Sequence, residues 1–248
     1  NHQIFDDWGN AWIDFTSSIF VTNSGHANDQ VVKRINEYIS KPLLHSYYYP
    51  TKIRAKFLKK LIRMTPSYFD KAILLSVGTE ATERAIKISR IYGESVSKGK
   101  SIIVGGEGNY HGKTLGAQMV GGQHADKDWI GYLDPNMKHM PFPFPWELDN
   151  FDGDGKDMFY SHLKLFEDQG VDLTKIAAFF VESFQGWGAI FYPVEYIKAM
   201  REWSIKNNTL LVFDEIQAGF GRTGKFFAYE HYDVDPDLVI CGKGISGS

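Results

Sequence analysis

Short apolar runs alternate along the chain with longer amphipathic stretches. The apolar residues within each run are consecutive, which is typical of strands buried on both faces of a sheet. We predict strands at Ala72–Ser76, Ser101–Val104, Ala177–Val181, Leu210–Phe213 and Leu238–Cys241. Because helical stretches separate these strands, the pattern indicates an α/β fold with a mostly parallel central sheet flanked by helices.

The stretches between the runs carry apolar residues near helical spacing. We predict helices at Asp29–Ile39, Lys52–Met64, Glu80–Tyr92 and Val194–Asn207. The segment Trp129–Trp146 is rich in aromatic residues and prolines, so we predict a long surface loop there. A second polar turn is predicted at Asp149–Asp157.

Composition narrows the classes of function. A net charge of −3 gives no support for a nucleic-acid partner or an anionic membrane surface. No apolar run approaches the roughly 20 residues that span a bilayer. Cys241 is the single cysteine, which excludes an internal disulfide and leads us to expect a cytoplasmic protein. We predict no metal site.

Ligands of parallel sheets bind at the carboxyl ends of the strands, so the chemistry is expected there. Asp214 stands where the strand Leu210–Phe213 ends. A buried carboxylate needs a partner because an unpaired buried charge is costly. Two interpretations stay open: a structural salt bridge or helix cap, and a carboxylate held for a cofactor or metal.

Two glycine-rich strand ends are further candidates. In "SVGTEATERAIK", Gly78 lets backbone N–H groups approach an anion at a helix start. An ordinary turn capped by Thr79 explains the same residues. In "GGEGNYHGKT", Glu107 stands where a nucleotide-binding P-loop requires glycine, so that interpretation is weak. Tyr110 in this stretch could stack on a planar ligand or pack in the core.

Lys243 lies between two glycines after the last apolar run, in "DLVICGKGISGS". A desolvated lysine amine has a lowered pKa, and a neutral amine attacks carbonyl groups to form a Schiff base. The alternative is a lysine whose amine reaches solvent or pairs with an acid.

Together these segments resemble the class III aminotransferases, which are pyridoxal-phosphate enzymes of fold type I. The resemblance lies in "SVGTEATERAIK", "YHGKTLGA", "VESFQGWGAI" and "DEIQAGFGRTGKFFAYEHYDVDPDLVICGKG", and in the opening "DDWGNAWIDFTSSIFVTNSGH". It covers essentially the whole chain. The long block that starts at Asp214 is the most specific part.

The resemblance implies a role for each matching residue. Lys243 would form the Schiff base with pyridoxal 5'-phosphate and move the proton, and Asp214 would pair with the pyridine nitrogen. Tyr110 would stack on the ring, and Gln217 would lie near its phenolic oxygen. The full cofactor-binding set is Val77, Gly78, Thr79, Tyr110, His111, Glu182, Asp214, Gln217 and Lys243.

Three departures from the family pattern affect the expected substrate. Lys113 replaces a common arginine that grips a carboxylate with two N–H groups, whereas lysine offers a point charge. Trp187 replaces the glutamate of members that act on ornithine or γ-aminobutyrate, which implies a different pocket shape. Ser183 replaces a usual proline. Ile19 and Phe20 are further candidate substrate residues.

The resemblance also implies an organisation. Residues 1–45 would be an N-terminal segment that forms part of a small domain, and residues 46–248 most of the cofactor-binding large domain. Family members continue well beyond the lysine, so we expect the chain to be incomplete and its active sites to be shared within a homodimer.

The expected reaction is transfer of an amino group between an amine or amino acid and a keto acid or aldehyde. A racemase, decarboxylase or lyase on the same scaffold stays open, because these enzymes use the same aspartate and lysine. A non-catalytic interaction protein is the alternative from another class.

Overall fold

A computed structural model describes residues 2–42 and 48–246. The strands are β1 (Gln3–Phe5), β2 (Ala11–Ile13), β3 (Ile102–Gly106), β4 (Met137–Met140), β5 (Ile176–Glu182), β6 (Leu210–Asp214) and β7 (Leu238–Ile240). The helices are α1 (Ser17–Phe20), α2 (Asp29–Ile39), α3 (Lys52–Met64), α4 (Gly78–Val96), α5 (Leu115–Val120), α6 (Gly155–Asp168) and α7 (Val194–Lys206).

The central sheet has five strands in the order β4-β3-β5-β6-β7, and every neighbouring pair is parallel. The predicted α/β architecture is therefore confirmed. The carboxyl ends of β5, β6 and β7 lie level with one another, because Glu182 pairs with Asp214 and Asp214 pairs with Ile240. The ends of β5, β6 and β7, which the sequence analysis predicted to carry functional residues, therefore lie at one edge of the sheet.

Both faces of the sheet are covered, which explains the continuous apolar runs. Phe179 of β5 packs in a cluster with residues of α6 and α7, including Phe159 and Tyr196. The next residue, Phe180, packs in the opposite cluster with Ala85 of α4. Every residue of β5 is buried.

Two regions differ from the sequence-based prediction. Ala72–Ser76 forms no strand, and its residues are half-buried or exposed. Among the described residues no strand pairs with it, so its apolar run has no ladder to join. Within the predicted loop Trp129–Trp146, Met137–Met140 forms the edge strand β4, paired with β3.

The predicted turn Asp149–Asp157 was correct only in part. Its first residues end a 3₁₀ helix, Pro145–Phe151, and Asp152 adopts a left-handed conformation. Asp154 then caps α6, which we had not predicted, by accepting a hydrogen bond from the N–H of Lys156. Helices α2 and α3 have the predicted bounds, while α4 extends beyond its prediction at both ends.

The N-terminal part pairs β1 with β2 in a small antiparallel sheet of exposed residues. The four residues of α1 all have positive φ, between 50° and 67°, so this turn is left-handed. The predicted boundary between residues 45 and 46 lies outside the described residues. Within the described ranges, no helix has the length and apolar character needed to cross a membrane.

Candidate active site

Asp214 and His111 form a buried pair at the carboxyl end of β6. The two side chains are at most 4% exposed, and Nδ1 of His111 donates to Oδ2 of Asp214 across 2.8 Å. The other carboxylate oxygen accepts from the backbone N–H of Ile216 at 2.9 Å. Burial alone would lower the pKa of His111, but the hydrogen bond and the charge of Asp214 raise it above its ordinary value. The hydrogen bond from His111 stabilises the Asp214 carboxylate.

Glu182 lies beside this pair, at the end of β5. Its Oε1 accepts from the backbone N–H of Tyr110 at 2.8 Å, which ties the loop after β3 to the end of β5. Burial raises the pKa of Glu182 to about 7; the charge of His111 opposes this shift and that of Asp214 adds to it.

Lys243 follows β7 at the same edge. Its Nζ donates to Oε1 of Gln217 across 2.6 Å, and Nε2 of Gln217 donates to the carbonyl of Gly186. Burial lowers the pKa of Lys243, against the raising effect of Asp214 and Glu182. The amine is thus held by one neutral acceptor and is easier to deprotonate than an exposed lysine.

The start of α4 closes the site on another side. A Cβ on Gly242 would lie 3.5 Å from Cα of Gly78, and a Cβ on either glycine would crowd Ile216. The two glycines therefore let the lysine segment and the helix start approach closely. The N-cap residue Val77 makes no side-chain hydrogen bond to the helix. The dipole at this end of α4 favours an anion.

Thr79 does not cap α4, so the predicted capping role of this residue is wrong. Its Oγ1 lies 2.7 Å from Oγ1 of Thr114 and accepts from the backbone N–H of Thr114. Glu83, from the same helix, accepts from Thr114 and from the N–H groups of Gly116 and Ala117. This network joins the start of α4 to the start of α5.

The predicted substrate residues are more exposed than the buried pair, as is Tyr110, the predicted ring contact. Tyr110, Lys113 and Trp187 are exposed. Ile19 is exposed, whereas Phe20 is half-buried, with Nζ of Lys243 5.9 Å from its ring centroid. The structure therefore brings Phe20 to the lysine.

Two neighbours of the candidate site were missed by sequence reasoning. Glu215 is buried directly after Asp214 and accepts from the N–H groups of Ala228 and Tyr229 and from the hydroxyl of Ser183. Arg222 lies against Phe20, with its guanidinium carbon 5.3 Å from the ring centroid. The acidic pair in "DEIQ" was a signal for Glu215, because both residues follow a buried strand.

One group of metal-ligating side chains lies apart from this site. Ligand atoms of Glu107, His124 and His139 fall within 4.8 Å of one another. The Lys127 amine, however, lies 3.1 Å from Nε2 of His139 and donates to a backbone carbonyl beside it. A cation there would meet a buried ammonium group, so the absence of a metal site stays our prediction.

A family model described as aminotransferase class-III matches residues 1–248. The chain belongs to the class III aminotransferase family. This confirms the resemblance seen in the sequence. Acetylornithine aminotransferase of Clostridium acetobutylicum is 34% identical to this class III member over 247 residues, which are 99% of this chain and 58% of that protein.

Solved structures agree with the class III assignment. A transaminase from the marine bacterium Virgibacillus superposes with a TM-score of 0.88 at 27% identity, covering 99% of this chain and 55% of that one. The taurine:2-oxoglutarate aminotransferase of Bifidobacterium kashiwanohense, solved in complex with PLP and glutamate, has a TM-score of 0.87 at 26% identity, with coverages of 98% and 55%. The chain thus spans little more than half the length of these relatives, and its fold is that of the transaminases.

Proposed function

We propose that the whole protein uses pyridoxal 5'-phosphate to transfer an amino group between an amine or amino acid and a keto acid or aldehyde. The observation that carries this proposal is the meeting of Lys243 and the His111–Asp214 pair at one edge of the sheet. Family membership and the cofactor described in the Bifidobacterium structure support it.

The residues present fit this cofactor. The start of α4, from Val77 through Gly78 to Thr79, would hold the phosphate, because a helix N-terminus without a side-chain cap offers N–H donors. Tyr110 would contact one face of the ring. Lys243 would hold the aldehyde group. Glu182, Asp214 and Gln217 would border the ring.

The cofactor, when bound, supplies an aldehyde that takes up the amino group and a ring that withdraws electrons from the carbon losing its proton. Asp214 contributes a fixed negative charge for the ring nitrogen, because His111 holds one of its oxygens and excludes water from it. Lys243 is suited to accept and return a proton, since burial lowers the pKa of its amine. Gln217 orients that amine.

We propose four substrate contacts at the same edge of the sheet. They are Phe20, Ile19, Lys113 and Trp187. Phe20 has the strongest support because its ring lies beside the Lys243 amine.

We also propose a cytoplasmic homodimer with shared active sites. Exposed aromatic side chains near β1 and β2, at Phe5, Trp8, Trp12 and Phe15, support a second copy covering this face. Light scattering on the whole protein tests the dimer.

The test of the proposed function is chemical. The purified whole protein should show a cofactor absorbance that borohydride bleaches, and mass spectrometry should find the cofactor fixed on Lys243. Lys243→Ala should abolish this labelling, whereas Lys33→Ala, on exposed α2, should not. Labelling that persists in Lys243→Ala would remove Lys243 from the proposal.

A panel of amine donors with keto-acid and aldehyde acceptors then tests the reaction itself. We expect transfer of the amino group with formation of a carbonyl product. If one amino-acid enantiomer loses optical activity without any keto acid present or formed, the protein is a racemase and the transfer proposal fails.

A further inference from the structure

Arg222 and Lys243 both lie against the aromatic ring of Phe20. The guanidinium carbon of Arg222 lies 5.3 Å from the Phe20 ring centroid, and Nζ of Lys243 lies 5.9 Å from the same centroid. The arginine and the proposed reactive amine therefore border one aromatic ring. A guanidinium group on an aromatic face is held in position without losing its N–H donors.

The donors of Arg222 are only partly used. Nη2 donates to Oδ1 of Asn23, and Nε is buried without a hydrogen-bond partner among residues 2–42 and 48–246. Within those same ranges, no carboxylate lies within 4 Å of this guanidinium. A half-buried cation with an unsatisfied donor is complementary to an anion, because leaving the donor unpaired is costly.

Asn23 fixes the arginine from the N-terminal segment. Its Nδ2 donates to the carbonyl of Phe220 at 3.2 Å, in the turn that carries Arg222. A Cβ on Gly244 would lie 2.2 Å from the Asn23 amide nitrogen, so Asn23 also contacts the lysine segment. One side chain thus spans the arginine turn and the residues after Lys243. This arrangement preorganises the guanidinium beside the amine.

We infer that Arg222 binds the carboxylate of a substrate whose amino or carbonyl group reacts beside Lys243. The inference rests on the proposed function and names its substrate class: amino acids and oxo acids rather than simple amines and aldehydes. Lys113, the residue that the family pattern suggested for carboxylate recognition, is exposed and carries a point charge. Arg222 offers a planar pair of donors in a more desolvated place, where a charge-assisted hydrogen bond is stronger.

Direct binding provides the first test. Propionate and its uncharged analogue propionamide are titrated into the cofactor-loaded whole protein by calorimetry. We expect wild type to favour propionate by on the order of tenfold or more, Arg222→Gln to remove that preference, and Arg222→Lys to keep part of it. Arg34→Gln, an exposed arginine on α2 paired with Glu37, is the matched control and should leave the preference unchanged.

Single-turnover rates provide the second test. The amino form of the enzyme is mixed with pyruvate or with acetaldehyde, which lacks the carboxylate. Arg222→Gln should raise the half-saturating concentration of pyruvate about tenfold or more and leave that of acetaldehyde within about twofold. If Arg222 had a purely structural role, the substitution would change the half-saturating concentrations of pyruvate and acetaldehyde by the same factor.

Several outcomes overturn the inference. The first is that Arg222→Gln raises the half-saturating concentrations of pyruvate and acetaldehyde equally. The second is that the wild type binds propionate no better than propionamide. The third is that Lys113→Gln, but not Arg222→Gln, loses the preference for propionate. Failure of the proposed function is seen separately, as the absence of borohydride labelling on Lys243. In that case the propionate titration still decides whether Arg222 binds a carboxylate.

Discussion

Glu182 and Asp214 are register partners on neighbouring parallel strands, so two buried carboxyl groups emerge side by side at one edge of the sheet. His111 pairs with Asp214. The hydrogen-bond donors to Glu182 within residues 2–42 and 48–246 are backbone N–H groups, and burial raises its pKa to about 7. The two acids therefore differ in their surroundings: a histidine side chain donates to Asp214, whereas burial raises the pKa of Glu182 toward neutral pH.

This difference predicts how stability depends on pH. The folded-state pKa of Glu182 lies above its ordinary value of 4.5, so the folded protein keeps a proton that the unfolded chain loses. Stability from this group is present below about pH 4.5 and declines as pH rises to about 7. Glu182→Gln stays neutral and should lack this decline. We expect the variant to gain about 3 kcal/mol relative to wild type between pH 4.5 and pH 8.

Urea denaturation of the cofactor-free whole protein at pH 4.5, 6, 7 and 8 measures this difference. Glu195→Gln, on the exposed side of α7, is the matched control and should follow the wild-type profile. Parallel pH profiles for wild type and Glu182→Gln would show that Glu182 titrates normally in the folded protein.

The His111–Asp214 pair should behave as one energetic unit. His111→Ala removes the side-chain partner of the buried Asp214 carboxylate and leaves it the backbone N–H of Ile216, so we expect a loss of about 3 kcal/mol. Asp214→Ala should cost a similar amount, and the double variant should cost about 1–3 kcal/mol less than the sum. Denaturation midpoints of the four proteins complete the cycle. As a contrast, His162→Ala removes a buried histidine bonded to Tyr196 instead, and its effect should add to that of Asp214→Ala. Additive costs for His111 and Asp214 would contradict a direct pairing.

The candidate site was predictable wherever it depends on strand ends. Asp214 and Lys243 each follow a continuous apolar run, and parallel strands bring such ends to a common edge. The roles of individual residues came from the family resemblance. The pairing of His111 with Asp214 was not predictable, because 103 positions separate them and the contact depends on how the loop after β3 packs.

The errors in the fold have a common physical cause. Ala72–Ser76 has the composition of a strand, but a strand exists only with a neighbour that completes its hydrogen bonds. Met137–Met140 has a weaker pattern among prolines, yet it pairs with β3 at the sheet edge, where proline-rich flanks are tolerated. Local pattern therefore identified apolar segments, while pairing decided which of them became strands.

Glu215 should contribute to stability through the segment that it anchors. Glu215→Ala would leave the N–H groups of Ala228 and Tyr229 and the hydroxyl of Ser183 without their acceptor. We expect a loss of about 3 kcal/mol or more, because each buried donor left unpaired costs about 1 kcal/mol or more. Urea denaturation measures the loss. Glu195→Ala, whose side chain is largely exposed, should stay within about 0.5 kcal/mol of wild type. An equally small effect for Glu215→Ala would mean that water replaces these bonds.

Replacing a serine by glycine should have opposite effects on stability in the left-handed turn of α1 and in the right-handed helix α4. Ser18 has φ 52° and ψ 53°, a conformation that costs a residue with a Cβ about 1–2 kcal/mol, whereas glycine adopts it freely. Ser18→Gly should therefore leave stability unchanged or raise it by up to about 1 kcal/mol. Ser95→Gly, at an exposed position within right-handed α4, should lower stability by about 0.5–1 kcal/mol. Thermal and urea denaturation of both variants measure the contrast. Because both changes remove the same side chain, equal destabilisation by the two would show that Ser18 is not held in the left-handed conformation, and that the turn presenting Phe20 to Lys243 and Arg222 has another geometry.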